Sequence, residues 1–258
     1  MNRKIVYDVL TERRLVLQVI GCAYTFKVSQ AVRDSFSKER ADHSSHKGRN
    51  AFSYFKKVEK PEDIVRNEGT LQLRKHPITG EKVEHWPEPE LAILLGERHN
   101  IVAYGLGNDF TAKGLEFEQA GKNYDPTHYG KCWKGSCSIS NIFLELKDIG
   151  EIGDLEIGLR IIRSESLVYD HCYSTSQRTR DFEELPELVL ERLSSFKEAL
   201  PESKKITVDS NGFLPQGTVI LAGTGLIVPK HLYSEDGDVV VVYSPGLGEL
   251  TNTIRRMH

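Results

Sequence analysis

Glu90-Leu91-Ala92-Ile93-Leu94-Leu95 and, after Gly96 to Asn100, Ile101-Val102-Ala103-Tyr104-Gly105-Leu106-Gly107 form the most strand-like stretch of the chain. Apolar residues fill both runs, and the polar tract between them has the length of a hairpin loop, which predicts two antiparallel strands. Glu88-Pro89-Glu90 stands at the entry of the first run. In an extended segment residues i and i+2 point to the same side, so Glu88 and Glu90 converge on one volume. The return strand leads through Gly107 to Asn108-Asp109 and brings Asp109 back beside that entry. Like charges held together repel one another unless a proton or a cation sits between them. Carboxylate oxygens suit a hard divalent ion, Mg²⁺, Mn²⁺ or Ca²⁺. Ordinary surface charge is the alternative reading of the same three acids.

Before the hairpin, Arg14 to Ile20 reads as a strand ended by Gly21. From Lys27 to Arg49 the chain is polar with hardly an apolar anchor. A connection of that length is either a functional lid or a solvated insertion. Ala51 to Lys56 and Thr70 to Leu73 are short extended pieces, and Pro77 and Gly80 mark a turn. Beyond the hairpin, Leu155 to Ile162 and Leu167-Val168-Tyr169 form a second hairpin across Arg163 to Ser166. One helix is expected between Asp181 and Leu200, where Leu185, Leu188, Val189, Leu193, Phe196 and Leu200 recur at three- and four-residue spacing. Pro186 suits its first turn and Pro201 stops it. Thr218 to Ala222, Asp238 to Tyr243 and, after a Ser244 to Gly248 turn, Glu249 to Ile254 complete the strands. Strands outnumber helices and nothing repeats, so the expected class is a strand-dominated α+β fold. Residues 1–60 are expected to hold a short strand and the mobile lid segment, about 27–49, and residues 61–258 a catalytic β-core.

The 258 residues are 39% hydrophobic and 28% charged, a globular composition, and 34 Lys and Arg against 37 Asp and Glu leave a net charge of −3. That balance offers no global basic field for nucleic acid or an anionic membrane. No apolar run approaches the roughly eighteen residues of a membrane span, and the first residues lack a hydrophobic leader, so a cytoplasmic protein is expected. Of the four cysteines only Cys132 and Cys137 are close. Their spacing, without a second pair, is not a zinc pattern, which leaves small buried or half-buried thiols in a reducing compartment.

Five motifs together carry a family resemblance: Pro87-Glu88-Pro89-Glu90-Leu91-Ala92, Asn108-Asp109-Phe110-Thr111-Ala112-Lys113, Gly130-Lys131, Ala222-Gly223-Thr224, and Gly237 to Val240 with Gly246 to Leu250. In order and spacing, from about Phe55 to Ile254, they resemble the fumarylacetoacetate hydrolase superfamily. The resemblance implies a β-rich mixed core with few helices, a divalent metal and a 2-keto acid or acyl pyruvate substrate. The chain is most like the 2-keto-3-deoxy-D-arabinonate dehydratase branch. Glu116 stands where hydrolases usually carry glutamine, and Gly223-Thr224 is followed by Ile227-Val228-Pro229 rather than directly by proline.

The resemblance makes Glu88, Glu90 and Asp109 the metal ligands and Lys131 the catalytic or oxyanion-side lysine. Gly223 and Thr224 become candidates to hold the substrate carboxylate at a strand end, although such a threonine also serves simply to satisfy a turn. Lys113 stands where the family generally has arginine, and so lacks a bidentate fork. Lys56, in the Phe55-Lys56 step, either faces the metal site or caps a surface. The family's lid histidine is missing after Tyr24, and its usual glutamate is missing before Phe55. The acid-base partner is thus left among Glu116 and Glu39, with His43 and His46 available only if their segment folds over the site. The expected activity is a metal-dependent dehydratase acting on a 2-keto-3-deoxy sugar acid, as a homodimer or homotetramer without nucleic-acid or membrane partners. The rivals are a C–C hydrolase or decarboxylase of acyl pyruvates or oxaloacetate, and a keto-acid-binding or interaction protein without turnover.

Overall fold

A computed structural model describes residues 5–8, 16–27, 52–116, 126–146, 152–196 and 201–256. The expected hairpin forms its centre: β6 (Pro89–Leu95) pairs antiparallel with β7 (Ile101–Asp109), with Ala92 opposite Gly105 and Glu90 opposite Gly107. These strands lie inside a mixed sheet ordered β1-β10-β7-β6-β13-β2-β3, with β9 also on β7. The other members are β1 (Ile5–Asp8), β2 (Gln18–Ala23), β3 (Ser53–Lys56), β9 (Cys137–Ile139), β10 (Ile142–Glu145) and β13 (Thr218–Leu221). A second sheet runs β12-β11-β14-β15-β4, from β12 (Ser166–Ser174), β11 (Glu156–Arg163), β14 (Val239–Ser244), β15 (Gly248–Arg256) and β4 (Thr70–Leu73). A two-stranded ribbon joins β5 (His85–Trp86) to β8 (Thr111–Ala112). The fold is strand-dominated, as the patterning predicts.

The unbroken apolar run of β6 follows from burial on both faces. Leu91, Ile93 and Leu95 enter the main core with Ile157, Leu159, Val240, Val242 and Ile254 of the second sheet, while Ala92 and Leu94 enter a smaller core with Val19, Val219, Leu221 and Phe143. A strand held this way cannot slip its register without driving one face into the other's packing. Its first residues are therefore a rigid mount for Glu88 and Glu90.

Three short α-helices lie among the described residues: α1 (Lys113–Glu116), α2 (Pro126–Lys131) and α3 (Leu185–Ser194). The second hairpin forms across the expected turn, but β12 extends to Ser174, with Tyr169 and Tyr173 buried and the residues between them exposed. Gly21 does not end the first strand. It lies within β2, opposite Phe55, and a β-carbon there would come within 2.2 Å of the Phe55 ring. The helix stops at Ser194, short of the expected Leu200. Ser194 and Ser195 turn their hydroxyls onto the Glu191 and Arg192 carbonyls, which competes with continuation of the helix, and Phe196 is exposed. Residues 197–200 lie outside the described residues, as do Glu39, His43, His46 and the expected lid segment beyond Lys27.

Candidate metal centre

The antiparallel register places the acids. Asp109 N–H donates to the Glu88 carbonyl at 3.0 Å, and Glu88 N–H donates to the Asn108 side-chain oxygen at 3.1 Å, so the two strand ends are tied together. Glu88, Glu90 and Asp109 are all buried, each offering an oxygen within 4.8 Å of the other two. From the neighbouring strand end, Gly223 N–H donates to Glu90 Oε2 at 2.8 Å. Gly223 has φ +85°, and a β-carbon on it would meet the Thr25 hydroxyl at 2.1 Å, so only glycine brings this N–H to Glu90.

Three ammonium groups converge on the same oxygens. Lys131 Nζ lies 2.6 Å from Glu88 Oε2, 2.9 Å from Asp109 Oδ2 and 2.6 Å from the Thr111 hydroxyl. Lys113 Nζ reaches the other Glu88 oxygen at 2.6 Å, and Lys57, wholly buried, pairs with Asp109 Oδ1. Burial opposes ionisation of Glu88, yet Lys113 and Lys131 outweigh it and hold this carboxyl down at about 2. Glu90 is the reverse. Burial, then the charges of Asp109 and Glu88, raise its proton affinity well above the ordinary carboxylate range. Glu90 thus takes either a proton or a cation beside it, and the trio's donors are all oxygens, which fits a hard divalent cation of the Mg²⁺, Mn²⁺ or Ca²⁺ class.

The structure brings Glu88, Glu90, Asp109, Lys131, Lys113 and Gly223 together. Thr224 follows Gly223 and closes a turn, accepting from Leu226 N–H at 3.1 Å and donating to its carbonyl at 3.2 Å. Lys56 pairs instead with Glu59 beside solvent. Glu116 is the last residue of α1, and its side chain lies outside what is described.

Two residues of the site were not expected. Lys57 takes the inward position, and the signal for it is the pleat: in an extended segment Lys57 shares a face with Phe55, whose ring lies 5.1 Å from Lys131 Nζ, while Lys56 points the other way. Tyr173 arrives from β12 and donates to the Pro89 carbonyl at 3.0 Å; burial and the Glu90 charge keep its phenol protonated. Nothing near Tyr173 in the sequence marks it, because its partner is 84 residues away.

Residues 39–255 match the fumarylacetoacetate (FAA) hydrolase C-terminal family, and the chain belongs to that family. It is 29% identical over 168 residues to a probable 2-keto-3-deoxyxylonate dehydratase of Haloferax volcanii, covering 65% of this chain and 50% of that protein. It is 23% identical over 170 residues to a 2-dehydro-3-deoxy-D-arabinonate dehydratase of Saccharolobus solfataricus, covering 66% of this chain and 49% of that one. The chain therefore spans about half the length of the curated relatives it matches. A solved 2-keto-3-deoxy-D-arabinonate dehydratase complexed with magnesium and 2,5-dioxopentanoate shares the fold, with TM-score 0.68 at 20% identity over 95% of this chain and 74% of that one. No helix among the described residues is long and apolar enough to cross a membrane.

Proposed function

We propose that the protein is a divalent-metal-dependent hydro-lyase that removes water from a 2-keto-3-deoxy sugar acid. The observation that carries this reading is the buried trio Glu88, Glu90 and Asp109 with the Lys131 ammonium against two of its members. The dehydratase names of both curated relatives, and the magnesium and dioxopentanoate in a structure of the same fold, support it. Glu88, Glu90 and Asp109 would hold the divalent ion, which would supply Lewis-acid polarisation of the 2-keto acid, and sharing Glu88 and Asp109 with a cation would favour the neutral amine of Lys131. Lys131 Nζ then takes a proton from C3. The C3–H electrons form the C3–C4 double bond, and the C4 hydroxyl leaves as water with the proton that the Lys131 ammonium now carries, which returns the lysine to the neutral amine. Thr111 fixes the lysine through its hydroxyl, Gly223 N–H orients Glu90, and Lys57 holds Asp109.

Turnover of a small panel tests the reading: 2-keto-3-deoxy pentonates and hexonates, acyl pyruvates and oxaloacetate, each with and without Mg²⁺. Loss of water from a deoxy sugar acid, dependent on the ion, is the expected result. Cleavage of an acyl pyruvate or loss of CO₂ from oxaloacetate alone replaces it with the hydrolase or decarboxylase reading. Silence across the whole panel leaves a binding protein.

A further inference from the structure

A second set of metal-capable side chains lies one residue along the chain from Lys131 and two from Lys57. Cys132 N–H donates to the His128 carbonyl at 2.8 Å, so the two residues stand one helical turn apart, on and just past α2, with side chains on one face. Glu59 faces both. Its Oε1 is 3.5 Å from His128 Nε2 and 3.7 Å from Cys132 Sγ, while its Oε2 is engaged by Lys56. One oxygen is thereby aimed at a nitrogen and a sulfur, and the other is held away by an ammonium.

The spacing matches a particular kind of ion. Zn–O and Zn–N bonds of about 2.1 Å and a Zn–S bond of about 2.3 Å, at tetrahedral angles, place O and N about 3.4 Å apart and O and S about 3.6 Å apart. The observed 3.5 and 3.7 Å match these two edges, and the three ligand atoms all lie within 4.8 Å of one another. Cys132 is buried, His128 is partly buried and Glu59 is exposed, so the face toward solvent stays open for a fourth ligand such as water. From this geometry we infer that Glu59, His128 and Cys132 form a three-ligand site for a borderline-soft divalent ion of the Zn²⁺ or Co²⁺ class, distinct from the carboxylate trio. Without an ion, burial and then the Glu59 charge push the Cys132 thiol up to about 12, so binding must release its proton and strengthens as pH rises. An ion here joins the segment carrying Lys57 to the segment carrying Lys131.

The test reads binding and not turnover, so it stands apart from the dehydratase reading. Chelator-stripped protein with saturating Mg²⁺ is titrated with Co²⁺, and the thiolate-to-cobalt charge-transfer absorption is followed. The trio contains no sulfur, so the band reports a cysteine site alone. The expected band saturates at one equivalent, is displaced by Zn²⁺, survives Cys172→Ser and disappears in Cys132→Ser. In His128→Gln the apparent affinity falls roughly tenfold or more. No band in the unaltered protein, a band that persists in Cys132→Ser, or unchanged affinity in His128→Gln each overturns the site. Should Cys132→Ser fail to fold, His128→Gln carries the test by itself.

Discussion

The two clusters that share the Phe55 to Glu59 and His128 to Cys132 segments are built on opposite principles. Glu88, Glu90 and Asp109 sit at the ends of two fully packed strands, and buried lysines face them. Glu59 is exposed on a turn, His128 is half-buried on a six-residue helix and the thiol of Cys132 is buried just past its end. The first arrangement places charges in a dry site, where each depends on its partner. The second keeps its charged group in water, where a missing partner costs little. Adjacent residues in the sequence, Lys56 and Lys57, belong to different regimes for that reason alone.

Replacing Lys131 with Met breaks the first cluster at its reacting atom and has the largest expected effect. Turnover should fall by about two to four orders of magnitude while keto-acid affinity stays within a few-fold. Exchange of pyruvate C3 hydrogens into D₂O measures it without the natural substrate, and wild-type exchange in the variant would assign the proton to another group.

Lys57→Met sharpens the comparison at the level of stability. Asp109 loses the wholly buried lysine at its Oδ1 but keeps Lys131 at Oδ2, so the cost should stay below the roughly 3–5 kcal/mol of a buried charge left with no partner. Denaturant unfolding in chelator should show the full loss, and saturating Mg²⁺ should return part of it. A variant as stable as the parent would mean that Asp109 has no need of this lysine.

Burial governs the buried histidine His85 in the same way. His85 is fully buried between Phe110 and Trp133, accepts the Arg74 N–H at Nε2 and turns Nδ1 to the Val83 carbonyl, and burial holds it down at about 4. Above pH ~6.5 neither the folded nor the unfolded chain carries this proton. Between there and pH 4 only the unfolded chain binds it, so stability drops as pH falls, by ~3 kcal/mol in total. His85→Gln should flatten that slope in unfolding curves taken across the window. An unchanged slope would trace the pH dependence to the carboxylates instead.

Lys56→Gln, at the surface pair with Glu59, gives the smallest effect: under about 1 kcal/mol in thermal unfolding, shrinking further with added salt. A larger loss would place Lys56 among the buried, interdependent charges with Lys57.

Local pattern was enough for most of the β framework. The β6–β7 hairpin, the β11–β12 hairpin and the β14–β15 pair follow from runs of apolar residues and short turns, because neighbours in sequence are neighbours in a hairpin. The same locality makes the Glu88, Glu90 and Asp109 convergence readable, since one turn and a fixed pleat determine it. What local pattern cannot contain is pairing across the chain. The parallel contact of β13 with β2 brings residues some two hundred positions apart into register, holds Gly21 inside a strand and sets Gly223 against Thr25. Tyr173 reaches Pro89, and Glu59 meets His128 and Cys132, by the same long-range folding. Sequence alone determined which residues could bear charge or bind an ion. Tertiary packing decided which of them are dry, because burial, not residue type, sets whether a charge must find a partner.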